Sequence, residues 1–254
     1  MDTLLGNLAD IAIERLKTFE EPALQKSPDG YYVAFSGGKD SIVTLDLVRR
    51  AGVKHTVHFN ITTVDPPELM RYVKKYYPEV NLDKSGTSMF KLIPKKRMPP
   101  TRMVRYCCEE LKERGGEGRM VITGVRRAES QKRSKRGLME SCMKNKSKRY
   151  LNPIVYWLDG DVWKYIRSNK MPYCSLYDEG FKRIGCVCCP VADCQESDGL
   201  RWPKFKKMYI KAFQMMIDKR KVDGLKCYWE LGEEVWEWWC GDRSALDDDN
   251  GMFI

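Results

Sequence analysis

Nowhere in this chain of 254 residues does an apolar run approach the roughly 20 residues that span a bilayer, so a membrane-crossing helix is excluded. A secretory signal peptide is not expected either, because the first residues given carry no basic stretch. The chain opens Met1-Asp2-Thr3, and Leu5, Leu8, Ala12, Leu16 and Phe19 fall on one face of an ordinary amphipathic helix. A cytoplasmic protein is therefore expected. No internal repeat is present, and histidine is scarce, with His55 and His58 the only two. What the protein has in plenty is positive charge and cysteine. Its 45 Lys and Arg against 35 Asp and Glu leave a net charge of +10, which suits polyanionic partners or simply solubility. Its 10 cysteines are not expected to be disulfides in a reducing compartment, so their spacing has to be read for other chemistry.

Ser36-Gly37-Gly38-Lys39-Asp40-Ser41 lies between the apolar run Tyr31 to Phe35 and an amphipathic stretch from Ile42 to Arg50. That order is strand, tight turn, helix. Two glycines let the backbone approach an anion, the helix start aims N–H groups at it, Ser36 and Ser41 add hydroxyls, and Lys39 adds a mobile charge. A triphosphate or pyrophosphate is the natural guest. A Walker A loop is excluded, because its first glycine stands four residues before the Gly-Lys pair, whereas Gly37, Gly38 and Lys39 are contiguous. The segment resembles the PP-loop of the N-type ATP pyrophosphatases. That resemblance implies ATP with Mg²⁺ as ligand, pyrophosphate gripped by Ser36 to Ser41, and Asp40 helping to hold the metal.

The cysteines fall into two groups and a scatter. Cys107 and Cys108 are adjacent, Cys186, Cys188, Cys189 and Cys194 crowd together, and Cys142, Cys174, Cys227 and Cys240 stand apart. Cys186, Cys189 and Cys194 offer C-x2-C-x4-C on a segment that Pro190 keeps from becoming helix, and Cys107 or Cys108 completes four thiolates. Thiolate softness alone suits either zinc or a [4Fe–4S] cluster. Arg105 to Lys112 and Gly185 to Pro190 resemble the two cysteine elements of the phosphoadenosine phosphosulfate (PAPS) reductase-like family. In that family a Cys-Cys pair and a Cys-x-x-Cys pair hold a [4Fe–4S] cluster, and the superfamily includes iron–sulfur enzymes that place sulfur in DNA or tRNA. The resemblance implies a cluster, with zinc as the alternative.

Arg119 to Gly124 reads as an apolar strand ending in glycine, followed by Val125 to Arg133. In a doubly wound sheet such a strand end faces the same edge as the loop at Ser36. The segment resembles the family's G-x-R-x-x-E-S element, which implies that Gly124 and Arg126 approach the nucleotide. Asp65 and Glu68, in the loop behind a strand at His55 to Asn60, are either orienting carboxylates or an ordinary helix start after Pro66 and Pro67.

The expected fold is α/β, a Rossmann-like, doubly wound and mostly parallel sheet carrying the PP-loop, with a helical, Trp-rich C-terminal region. Strands are predicted near 31 to 36, 55 to 60 and 119 to 124, and helices near 39 to 50, 67 to 77 and 101 to 114. A short strand at Leu151 to Ile154 is expected to lead into a helix at Asp159 to Ser168. The organisation expected is an N-terminal helix over 1 to 26, the α/β domain with its cysteines over 27 to 199, and helices over 200 to 254. There Trp202, Phe205, Tyr209, Ala212, Phe213 and Met216 share a helix face, and Trp229, Trp236, Trp238 and Trp239 cluster as core before the acidic Asp247 to Asp249.

Residues 131 to 149 hold Lys132, Arg133, Lys135, Arg136, Lys144, Lys146, Lys148 and Arg149 and show neither helical nor strand periodicity. A solvated loop is predicted, able to track the phosphates of a nucleic acid. Lys95, Lys96, Arg97 and Arg102 add to that charge.

Two departures from typical PAPS reductases matter. Lys39 is kept where they replace it, and the late cysteine sits in Trp239-Cys240-Gly241-Asp242, with no Glu before it and no His after it. The sequence thus points to an enzyme that adenylates a substrate with ATP, releases pyrophosphate and transfers sulfur. A sulfonucleotide reductase, or a non-catalytic nucleotide- or nucleic-acid-binding protein, is the alternative. Its partners are an adenine nucleotide and a sulfur donor, and the reading admits a homo-oligomer.

Overall fold

A parallel ladder organises the first of two compact units in the protein. The structure is a computed structural model, and it describes residues 7 to 141 and 147 to 241. The first unit comprises residues 1 to 60, 67 to 83 and 115 to 184, and the second comprises 61 to 66, 84 to 114 and 185 to 254.

In the first unit, helix α1 (Leu8–Thr18) begins at Asn7, whose side-chain oxygen accepts from the Ala9 and Asp10 amides. A short α2 (Glu20–Lys26) follows. Strand β1 (Tyr31–Ala34) leads into α3 (Lys39–Ala51), and β2 (His55–Ile61) into α4 (Pro67–Tyr76). Pro67 suits the first position of α4 because its missing N–H would have had no helical partner there. Strand β3 (Asn81–Lys84) closes this half. Helix α5 (Met89–Lys96) belongs to the second unit. Strands β4 (Met120–Ile122), β5 (Met139–Ser141) and β6 (Arg149–Leu151) and helix α6 (Asp159–Ser168) complete the first.

Among the described residues the sheet has six strands in the order β3-β2-β1-β4-β6-β5. β1 runs parallel to β2 and to β4, β4 runs parallel to β6, and β5 runs antiparallel to β6. The expected α/β, Rossmann-like, mostly parallel sheet is therefore observed. After β1 the polypeptide builds outward through β2 and β3, then returns to the other side of β1 with β4. The crevice where strand order reverses lies at the carboxyl ends of β1 and β4, where ligands bind in such sheets.

Two sequence expectations need correction. A helix over 101 to 114 is reduced to one wide turn, Cys108–Lys112, closed by a bond from the Glu113 amide to the Cys108 carbonyl at 2.8 Å. The stretch before it is taken up by a local turn instead, with Val104 N donating to Thr101 Oγ1 at 3.0 Å. The described residues of 131 to 149 are also not a free loop. They include β5 and the start of β6, and several of their charges are paired internally: Arg133 with Glu129, Arg136 with Glu140 at 2.5 Å, and buried Lys148 with Glu117 at 3.3 Å. Lys132, Lys135 and Arg149 remain exposed. Cys142, Lys144, Lys146 and Asp247 to Asp249 lie outside the described residues.

In the second unit, α7 (Gln195–Arg201), α8 (Pro203–Val222) and α9 (Gly232–Cys240) pack with α5. Tyr209, Phe213, Trp236 and Trp239 form its aromatic core, with Tyr209 and Trp239 rings 5.0 Å apart. Trp239 is fully buried, and its indole N–H donates to the Pro100 carbonyl at 2.7 Å, so the ring is buried without an unpaired donor. No helix among the described residues is long and apolar enough to cross a membrane.

Candidate functional site

The turn from β1 to α3 takes its shape from Gly37, whose φ of 69° is a backbone region that favours glycine. A Cβ there would also stand 2.7 Å from Leu69 Cδ1 and 2.9 Å from Val73 Cγ2 on α4. Gly38 caps α3. The Ser41 hydroxyl ties the loop together, donating to the Gly38 carbonyl at 2.9 Å and accepting from the Ser36 amide at 3.2 Å, with Ser36 Oγ also 3.2 Å away. These bonds hold the loop's remaining amides at the start of a helix of 13 residues, where an anion is favoured.

Strand β4 ends against this loop. A Cβ on Gly124 would lie 2.9 Å from both atoms of the Asp40 carbonyl and 3.1 Å from the Ser41 amide, so glycine is what lets the two strand ends meet. The expected closeness of Gly124 to the loop is real, although the contact is to protein backbone. Two residues on, Arg126 is only 2% exposed. Its guanidinium donates to Asp40 Oδ1 at 2.6 Å, to Asp159 Oδ1 at 2.9 Å and to the Trp157 carbonyl at 3.3 Å. The side chain expected to meet a phosphate is thus engaged with the carboxylate expected to hold Mg²⁺.

Lys39, 6% exposed, completes the network. Its ammonium lies 3.1 Å from Asp159 Oδ1 and 3.7 Å from Asp40 Oδ2, and donates to the Lys182 carbonyl at 3.4 Å. Burial pushes the Asp159 carboxyl up, but Lys39 and Arg126 outweigh it and hold that carboxyl below its usual range. The site therefore combines loop amides, two cations and two carboxylates at the carboxyl ends of β1 and β4. Sequence reasoning missed Asp159 as a site residue, because an acidic residue in a first helical turn is also an ordinary helix start. It missed Tyr177 too, whose hydroxyl accepts from the Lys39 amide at 2.8 Å, since no motif marks it.

The cysteines form a second group, within the second unit. The loop 62 to 65 is held by Asp65, which accepts from the Thr62 amide at 2.7 Å and hydroxyl at 2.8 Å. Against it lies the cysteine loop: the Val187 amide donates to the Val64 carbonyl at 2.7 Å, and the Cys186 thiol to Thr62 Oγ1 at 3.5 Å. Asp65 is thus a brace for the segment that receives Cys186. Glu68, on α4, lies 3.8 Å from Arg71.

Cys107 feels the charges of Cys108, Cys186 and Cys189, which places these four thiols in one electrostatic group. The hydrogen bond between Cys107 and Cys108 pulls Cys108 down to about 6, helped by Lys112 and Arg105, while the same bond and burial push Cys107 far up. Burial raises Cys186 to about 11. Cys194 is turned toward α7, its thiol 3.2 Å from Asp198 Oδ2, and burial with that carboxylate raises it to about 12. Among the described residues no three His, Cys, Asp or Glu side chains converge tightly enough to hold a single ion. A tetrathiolate zinc site would need sulfurs about 3.8 Å apart, whereas the corners of a cubane reach thiolates spread more widely. Cys107, Cys108, Cys186 and Cys189 are four soft donors in one electrostatic group.

A glycine-bearing strand–loop–helix turn at the switch point of a parallel sheet, with lysine at the helix start, defines a protein of the nucleotide-binding α/β class. The phosphoadenosine phosphosulfate reductase domain matches residues 30 to 192, and the chain belongs to that family. An uncharacterized protein of Methanocaldococcus jannaschii is 31% identical over 215 residues, covering 81% of this chain and 51% of that protein. The chain spans about half the length of this relative, and 45% of a second from the same organism. An adenosine 5'-phosphosulfate reductase of Staphylococcus haemolyticus is 26% identical over 202 residues, covering 70% of this chain and 79% of that enzyme. Among solved structures, an FMN adenylyltransferase of Candida glabrata superposes with a TM-score of 0.50 at 16% identity, over 71% of this chain and 60% of that one. That likeness concerns the fold.

Proposed function

We propose that this protein binds ATP at the loop from Ser36 to Ser41, adenylates a substrate oxygen with release of pyrophosphate, and then transfers sulfur to the substrate as AMP leaves with that oxygen. The observation that carries the reading is the placement of Lys39: a nearly buried ammonium beside the helix-start amides and within reach of two carboxylates. In the reaction a substrate oxygen attacks the α-phosphorus, the bond to the bridging oxygen breaks, and pyrophosphate leaves with the electron pair. Charge therefore grows on the departing group, to which this reading assigns Lys39 and the loop amides, and preorganised donors of this kind lower such barriers. Asp40 and Asp159 are hard oxygen donors that suit Mg²⁺, which when bound would neutralise phosphate charge.

Cys107, Cys108, Cys186 and Cys189 would hold a [4Fe–4S] cluster, with Cys194 as a reserve donor and zinc as the alternative metal. When bound, the cluster would supply iron able to carry sulfide. Exposed Lys132, Lys135 and Arg149 support a polyanionic acceptor such as a nucleic acid.

A second reading has its own support. Relatives named adenosine 5'-phosphosulfate reductase favour a sulfonucleotide reductase, in which the loop would receive the substrate's phosphate and a thiol would release sulfite. The test is a paired assay on anaerobically prepared protein. Pyrophosphate release from ATP, with DNA, tRNA and small-molecule acceptors offered in parallel, is expected. Thiol-dependent sulfite release from adenosine 5'-phosphosulfate, without pyrophosphate release from ATP, would replace the first reading by the second.

A further inference from the structure

The first amide of α3 already has a partner. Lys39 N donates to the phenol oxygen of Tyr177 at 2.8 Å. The same hydroxyl lies 3.5 Å from where a Cβ on Gly38 would be, at the same distance as Ser36 Oγ. Tyr177 closes a short turn, Ser175–Tyr177, in which its own amide donates to the Cys174 carbonyl at 3.1 Å and its carbonyl accepts from Gly180 at 3.2 Å. Its ring meets Trp163 of α6 edge-on at 5.1 Å, and the Lys39 ammonium lies 5.9 Å from the ring's centre. The Lys182 carbonyl, five residues along the same segment, accepts from that ammonium. Residues 177 to 182 thus engage both the backbone donor and the side-chain cation of Lys39. Burial pushes the Tyr177 phenol up, so it stays neutral at any working pH.

An amide has one hydrogen to give. A phosphate oxygen that takes the Lys39 N–H must replace the phenol, because both need the same direction of approach at hydrogen-bond distance. We propose that Tyr177 is a positioning residue of the phosphate site: its hydroxyl occupies the place of a phosphate oxygen on Lys39 N, and pyrophosphate or a nucleotide binds by exchange with it. The proposal rests on the reading of the Ser36 to Ser41 loop as a phosphate cradle. The exchange keeps the loop amide satisfied when no anion is held, and it lowers anion affinity by the worth of one neutral hydrogen bond. Tyr177 thereby sets how weakly the loop holds the pyrophosphate that must finally leave.

Tyr177→Phe tests this, since the ring and its contact with Trp163 remain while the hydroxyl goes. Calorimetric titration of the full-length protein with pyrophosphate should show a Kd about 2- to 10-fold lower in the variant, the fold-change matching a net hydrogen bond of ordinary strength. A merely structural role would weaken binding or leave it unchanged, and either result overturns the proposal. Hydrogen exchange on the native protein gives a second measurement that needs no variant. Saturating pyrophosphate should slow exchange in residues 36 to 42 and speed it in residues 174 to 184; slowing in both, or no change in the second segment, also overturns the exchange. If neither native protein nor variant binds pyrophosphate, the phosphate-cradle reading falls with it. If the native protein binds and the variant binds no tighter, only the role of Tyr177 falls.

Discussion

Replacing Arg126 by methionine removes a guanidinium that is 2% exposed and bridges β4 to both carboxylates of the site, while keeping an unbranched side chain of similar length. Breaking a sealed ion pair by deleting one partner costs about 3–5 kcal/mol. Here the carboxylates are less sealed: the side chains of Asp40 and Asp159 are 23% and 61% exposed, and Lys39 stays 3.1 Å from Asp159. Solvent screening and the second cation reduce the expected loss to about 2 kcal/mol. At this protein's size each kcal/mol moves the melting temperature by about 2–4 °C, so Arg126→Met should melt about 4–8 °C lower by circular dichroism. The partnership can be isolated with Asp40→Asn. If Arg126 and Asp40 act together, the double variant should lose less than the sum of the singles, with a coupling of about 1 kcal/mol. A melting temperature within about 1 °C of the native protein, with no coupling, would refute the network and return Arg126 to a purely ligand-facing role.

Further outcomes follow from the same geometry. Gly124→Ala puts a methyl group 2.9 Å from the Asp40 backbone, so it should destabilise by about 1–3 kcal/mol in thermal melts and weaken nucleotide binding as β4 is pushed off the loop; unchanged binding would place the nucleotide elsewhere. In reduced, metal-free protein the Cys108 thiol, drawn down to about 6 by Cys107, Lys112 and Arg105, should be alkylated readily at neutral pH. Because the thiolate is the reactive form, the rate should fall as pH drops, with Cys108 modified before Cys107; peptide mapping that finds the reverse order would contradict the assignment. Cys186→Ser or Cys189→Ser should abolish the iron and acid-labile sulfide content of anaerobically purified protein, since hard oxygen replaces thiolate poorly on iron; stoichiometric zinc without iron in the native protein would refute the cluster.

The loop at Ser36, the strands β1, β2 and β4 and the helix α6 were legible in the sequence because periodicity and glycine placement report local backbone directly. The partners of those residues were not. Arg126 and Asp40 stand 86 residues apart, and only the pairing of β1 with β4 joins them. The segment 131 to 149 misled because β5, at the sheet edge, and β6 beside it are three residues each, too short for alternation to show among lysines and arginines. The stretch 101 to 114 has helix-forming composition from Glu109 onward, yet its bonds close a wide turn at Cys108, a tertiary outcome that propensity does not carry. Tyr177 left no trace, since a lone aromatic after Cys174 carries no pattern.

The most direct test is pyrophosphate release by the native protein and by Lys39→Ala, measured with ATP and Mg²⁺ under anaerobic conditions. Under the proposed adenylation, Lys39 would supply a charge to the leaving group that the loop amides cannot replace. Release by the native protein is expected, with a rate at least about 100-fold lower in a variant that folds normally. Equal rates from the two proteins would contradict the assignment of Lys39 and the adenylation chemistry built on it.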